Sequence, residues 1–279
     1  MAKKRLEHQQ QIYSERTLKT AKELRVIDDT LFRLIASRPK VCEEILQTLL
    51  GNKKLKVLRV NAQETVKSLQ REIILDCLCD LGDGSIINIE IQKGKYNNDV
   101  KRCRFHLSSI TSNYTPKGTD FDDVPNVTVV YITEYDALDN KQTITYSKMC
   151  RYDNSTETFI PVDDGGLIVY ANTCINDGTD KSELLGLFLS NKSFDNKKFP
   201  NFSDAIKYFK DDAKGVSEVC AIVEEYAKEY AEEYAKEYAD KQVLKNVKSF
   251  IAAGASNELI KTATNLTDDE IDKLRSELS

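Results

Sequence analysis

Long apolar runs are missing from this 279-residue chain. No window approaches the ~18 consecutive apolar residues that a membrane helix needs, so no membrane span is expected. Paired cysteines are missing too. The seven cysteines (Cys42, Cys77, Cys79, Cys103, Cys150, Cys174, Cys220) are odd in number and show no CxxC spacing, and only His8 and His106 accompany them. A zinc cluster wants ligand pairs a few residues apart. The cysteines therefore read as small buried hydrophobes in a reducing cytoplasm. An excess of positive charge is absent as well. The net charge of −5 excludes a polycation that coats DNA, and any nucleic-acid contact must come from a local patch. The basic start Met-Ala-Lys-Lys-Arg has no apolar stretch or small-residue cleavage site behind it, so no signal peptide and a cytoplasmic location are expected.

What is present fits a soluble globular protein: 41% hydrophobic and 30% charged residues, in a chain long enough for one good-sized domain and an appendage. Residues 1–20 read as a polar tail, 21–212 as the main domain, 213–246 as a long charged helix and 247–279 as a small helical piece. Asp28 and Asp29 look like an N-cap before an apolar-periodic stretch (Leu31, Phe32, Leu34, Ile35, then Cys42, Ile45, Leu46, Leu49, Leu50). Pro39 splits it into two short helices ending at Gly51. Lys56 to Val60 reads as a strand. Val127–Thr133 reads as a buried strand, and residues 141–171 as further strands. From Glu225 the run EYAKEYAEEYAKEYADK repeats Tyr-Ala every four residues. That period drifts around a 3.6-residue helix, so the tyrosines wind over an exposed surface and suit a spacer or self-association element. The last segment reads as three short helices with a break at Gly254 and a cap at Thr267.

The most informative stretch is REIILDCLCD (71–80) followed by SIINIEIQ (85–92), joined by Leu-Gly-Asp-Gly. Two β-rich runs around such a turn predict a hairpin. If it is centred near Asp83, Asp76 and Glu90 face each other. By the period of two, Asn88, Glu90 and Gln92 share one face, while Leu75, Cys77 and Cys79 lie on the face opposite Asp76. Residues 99–114 then read as a helix with an apolar stripe of Val100, Cys103, Leu107, Ile110 and Tyr114. Lys93, Lys95, Lys101, Arg102 and Arg104 make a local basic patch against one acid, Asp99. Two carboxylates on adjacent strands can share a hard divalent cation, which can activate water against a phosphodiester. The same residues would also suit a solvated sheet face.

The segment RxIILD…GDGSIINIEIQ, then KRCRFHLSSI, GTDFDDVPNVTVVYITEYD and LIVYANT…DGTDKSELLGLF, resembles the PD-(D/E)XK nuclease and transposase family that includes the recombination-promoting nucleases. The resemblance runs from about Asp28 to Asp212. It implies an α/β restriction-endonuclease-like core, a central mixed sheet flanked by helices, here with a helical C-terminal extension. It also implies DNA cleavage dependent on Mg²⁺; Mn²⁺ is an alternative ion, and a homodimer or higher oligomer is expected so that both strands can be cut. Asp76 and Glu90 match the metal-binding acids. Gln92 stands where the broader superfamily usually has lysine, so it offers hydrogen bonds without charge. Arg102 and Arg104 match the family's Arg-x-Arg-aromatic stretch, which suits phosphate contact or simple solvation equally, and Lys93 and Lys95 of the basic patch are further candidates for the DNA backbone. Asp29 and Glu44 (with Glu43) are candidate supporting acids, against a competing reading as N-cap and solvated helix face. His106 reads as packing or surface. The rival function is a nuclease-fold module, weak or inactive in catalysis, that binds DNA or regulates through its helical tail.

Overall fold

The computed structural model describes residues 13–67, 72–95, 98–264 and 266–278. Residues 1–12 of the expected tail lie outside these. From Ser14 onward the chain is helical: α1 spans Glu15–Glu23, and Ser14 Oγ caps it by accepting from Thr17 N at 3.0 Å. Helices α2 (Asp29–Ala36) and α3 (Pro39–Leu50) follow, parted where the pattern predicts. Proline has no N–H to continue α2, yet its fixed φ suits the first position of α3. Gly51, at φ 69°, then ends α3 in a conformation that L side chains rarely adopt. Asp28 occupies the N-cap position of α2 without capping it. One of its carboxylate oxygens accepts from Arg25 N and the other pairs with Lys93.

The strands are β1 (Arg59–Lys67), β2 (Glu72–Asp80), β3 (Ser85–Gln92), β4 (Asn126–Thr133), β5 (Ile144–Ser147), β6 (Cys150–Asp153), β7 (Thr158–Pro161) and β8 (Gly166–Asn172). Six form a mixed sheet in the order β1-β2-β3-β4-β8-β5, and β6 with β7 forms a separate pair. β4 pairs parallel to both β3 and β8, and the other neighbours are antiparallel. The strand expected at Lys56–Val60 starts later and runs further, because polar Asn61, Gln63 and Glu64 disguise a half-exposed edge strand. The central strands are apolar on both sides because helices cover both faces. On one face α2, α3, α5 (Asp180–Leu187) and α6 (Pro200–Asp211) bury Cys77, Cys79, Ile87, Ile89 and Ile91. On the other, α4 (Asp99–Asn113) buries Leu78, Ile86, Val129 and Tyr131 beneath Cys103 and Ile110.

The chain forms two compact units, residues 1–223 and 224–279. Helix α7 (Ala213–Ala252) begins in the first, where Val219 and Cys220 belong to the core, so that unit extends past residue 212. In the second unit α8 (Asn257–Thr264) and α9 (Asp268–Leu278) enclose a small core of Val247, Ile260 and Ile271. The expected cap is present: Thr267 N donates to Glu270 Oε2 at 2.8 Å, and Glu270 N to Thr267 Oγ1 at 3.4 Å. Tyr230, Tyr234 and Tyr238 are exposed, and successive rings stack 6.5 Å apart. Among the described residues no helix is long and apolar enough to cross a membrane.

Candidate active site

The hairpin of β2 and β3 turns on Gly82 and Gly84, both at positive φ. Its register pairs Cys77 with Ile89, Leu78 with Asn88 and Cys79 with Ile87. One further step sets Asp76 opposite Glu90, as a turn centred at Asp83 requires. Regular pairing lapses at that step. The β1–β2 ladder pairs Ala62 with Cys77 and Glu64 with Leu75 but passes over Gln63 and Asp76, and Gln63 stands at φ 59°. A non-glycine residue in this region carries strain that surrounding structure must hold in place. The faces change here too. Leu75 belongs to the core beneath α4, whereas Cys77 and Cys79 belong to the opposite core, so the strict alternation expected across Leu75–Cys79 fails at Asp76.

Around this lapse the two carboxylates reach across to each other's strands. Glu90, 1% exposed, uses Oε1 to accept from Asn88 Nδ2 at 2.7 Å and, more loosely, from Asp76 N at 3.4 Å. His106 Nδ1 stands 3.3 Å from the same oxygen. Asp76 Oδ2 accepts from Ile91 N at 2.9 Å. Glu90 Oε2 and Asp76 Oδ1 take no hydrogen bond from the described residues. Each carboxylate is thus fixed by one oxygen and leaves the other to a ligand. Burial, then the charge of Glu90, pushes the Asp76 carboxyl well above the ordinary carboxylate range, while the Ile91 N–H and Arg102 pull it back. A buried like-charged pair lacks a full counter-charge, and a hard divalent cation with a preference for oxygen would supply it. The residues therefore fit such an ion. Asp29 adds to the field at Asp76, and Gln63 Nε2 donates to its Oδ1 at 3.4 Å.

Gln92 extends the same face. Its Oε1 accepts from Arg102 Nη1 at 3.0 Å, which ties the end of β3 to α4. The start of α4 is anchored in turn by Asp99, 5% exposed, which accepts from the hydroxyls of Tyr131 at 3.1 Å and Tyr135 at 3.0 Å. The expected apolar stripe needs one correction. Val100 is 53% exposed, and His106 takes a buried position between Cys103 and Ile110. A histidine on the buried face of a helix that covers a carboxylate-bearing strand was the available signal for its contact with Glu90. Asn88 carried its own signal, sharing that face two residues from Glu90.

The remaining candidates are dispersed. Lys93 pairs with Asp28, and Lys95 lies 3.4 Å from Asp139. Arg104 is exposed on α4. Glu44 does not join the pair. Its Oε1 accepts from Asn201 N and Nδ2 at 3.2 and 2.9 Å and its Oε2 from Phe202 N at 2.8 Å, so it caps α6. Glu43 is likewise committed, to Lys40, Lys56 and the N–H of Val57. Among the described residues the one set of three metal-ligating side chains with atoms all within 4.8 Å is Cys42, Cys77 and Cys79. These thiols are fully buried, and Cys42 Sγ donates to Ala36 O at 3.2 Å, so they fill core space.

Residues 27–162 match the sequence model of the family described as PD-(D/E)XK nuclease family transposase. The match takes in Asp29, Asp76, Glu90, Gln92 and all of α4. No curated protein and no solved structure matches the chain.

Proposed function

We propose, from the match of residues 27–162 to the PD-(D/E)XK nuclease family transposases, that the chain is a Mg²⁺-dependent DNA endonuclease, with Mn²⁺ as an alternative ion. The observation that carries this reading is the opposed Asp76 and Glu90, each fixed by one oxygen and each with the other oxygen left by the protein. Those two residues would hold the ion, which when bound polarises a phosphodiester and lowers the pKa of a water. Asn88 and His106 keep Glu90 in place, and Asp29 adds negative charge beside the pair. Gln92 orients water or phosphate by hydrogen bonding. Lys93, Lys95, Arg102 and Arg104 meet the DNA backbone through charge that a chain of net −5 has gathered locally. The protein works in the cytoplasm as a homodimer or higher oligomer, so that both strands can be cut, and serves recombination, transposition or defence.

Gln92 favours one rival, since an amide brings no charge to the phosphate. In that reading the fold binds DNA or regulates through its helical tail, without effective catalysis. Nicking of supercoiled plasmid by purified protein with Mg²⁺, Mn²⁺ or EDTA separates the two. Metal-dependent nicking that disappears in both Asp76→Ala and Glu90→Ala supports the nuclease. Wild type that leaves single- and double-stranded DNA intact in either metal supports the binding module.

A further inference from the structure

Cys77 and Cys79 stand two apart on β2, so the period of two turns both sulfurs into the core beneath α2 and α3. Cys42, from the first turn of α3, reaches the same point. Its Sγ lies 3.6 Å from Cys77 Sγ, which in turn lies 3.8 Å from Cys79 Sγ, and all three sulfurs fall within 4.8 Å of one another. Sulfurs bound to one tetrahedral Zn²⁺ at ~2.3 Å sit roughly 3.8 Å apart, so the triangle needs little change to take such an ion. A fourth donor is at hand. The carbonyl of Ala36, the last residue of α2, accepts from the thiols of Cys42 at 3.2 Å and Cys77 at 3.7 Å. No backbone N–H among the described residues donates to it, as befits a carbonyl at a helix end.

We propose that Cys42, Cys77 and Cys79, with the Ala36 carbonyl, form a structural site for a thiophilic cation of the Zn²⁺ class. On loading, the three thiols give their protons to solvent and bind as thiolates. Protonated, they fill core space. Loaded, they tie α2, α3 and β2 together beside the strand position of Asp76. All three are fully buried in an apolar core. Mg²⁺ prefers oxygen ligands and keeps several waters, so such surroundings exclude it, whereas thiolate sulfur selects a softer ion. Because no sulfur meets solvent, the ion enters as the chain folds, and its binding energy becomes folding energy. The other cysteines stand apart. Cys103 belongs to the opposite core, Cys220 lies on α7, and Cys150 and Cys174 are exposed. Neither Asp76 nor Glu90 is a ligand here, so the site is independent of the nuclease reading.

The test refolds the reduced full-length chain from urea with Zn²⁺ or Cd²⁺ and removes loose metal by desalting. Cys150→Ser/Cys174→Ser serves as the parent, so that no exposed thiol competes. Cd²⁺ reports sulfur through an ultraviolet thiolate-to-metal band, to which bound carboxylates contribute nothing. The parent should keep one ion per chain, show a band of the strength of three Cd–S bonds, and unfold at a higher temperature with the ion than without it. Adding Cys103→Ala or Cys220→Ala, one at a time, should leave the band whole. Adding Cys42→Ala or Cys79→Ala should weaken binding by more than the roughly 10–100-fold lost with a mere supporting contact. A folded parent that shows no sulfur band would overturn the assignment. So would a band that needs Cys103 or Cys220, or one that Cys42→Ala and Cys79→Ala leave unchanged.

Discussion

Asp76 is held by a single N–H, that of Ile91, in surroundings that disfavour its charge. Metal should therefore register as stability. At a Mg²⁺ concentration 100 times its Kd the wild type should gain about 2.7 kcal/mol, or about 5–10 °C in Tm, while Asp76→Asn should show almost no shift in the same thermal titration. Asn88 makes a second residue-level prediction. Its Nδ2 is the nearest donor to the buried Glu90 Oε1, so Asn88→Ala should cost about 1–3 kcal/mol in urea unfolding of the metal-free protein. The opposition of Asp76 and Glu90 was legible in the sequence because the glycine turn fixes the register of its hairpin. The company of Leu75 was not. Its face changes where the ladder passes over Asp76 and the left-handed Gln63 on the neighbouring strand, and a period of two assumes that such breaks are absent.

At the level of elements, helices were readable from their punctuation and the edge strand was not. Pro39 and Gly51 mark α3 chemically, whereas β1 alternates too weakly to announce its length. Side chains that bind backbone from a distant element were the least readable, since nothing near Glu43 or Glu44 in the sequence shows which N–H groups will approach. Glu43 gives the pH prediction. Burial would raise its carboxyl, but the Val57 N–H and the ammonium groups of Lys40 and Lys56 outweigh it and hold the pKa below the ordinary range. Its contribution is present above the unfolded value of about 4.3 and is lost as pH falls through the folded value. Glu43→Gln should lose about 1–2 kcal/mol at pH 7, and the gap from wild type should close in unfolding curves taken at progressively lower pH below 4.

For the whole molecule, the sequence pointed to an α/β core with a helical extension, and the contacts divide the chain at residue 223. The packing of the first unit reaches past residue 212 and ends just before the Tyr-Ala repeat begins at Glu225. Val219 and Cys220 sit in the core of the first unit although they lie on the helix that leads into the second. A chain ending at residue 223 should keep the Tm of the first unit's transition. A chain ending at residue 212 should unfold about 10 °C lower, since two core side chains at roughly 1.5–3 kcal/mol each are removed. Equal Tm values for the two truncations would show that the start of α7 contributes nothing to that core.

The bond from the Ile91 amide to Asp76 also gives the site an address in a spectrum. Most strand amides donate to carbonyls, whose electron density hardly changes when a ligand arrives. This one donates to a carboxylate whose charge is the quantity that a bound ion would alter. Its ¹H–¹⁵N cross-peak should move early and far in a titration, ahead of its neighbours in β3, and its exchange with deuterium should change with it. A single backbone resonance then counts filled sites without substrate or turnover.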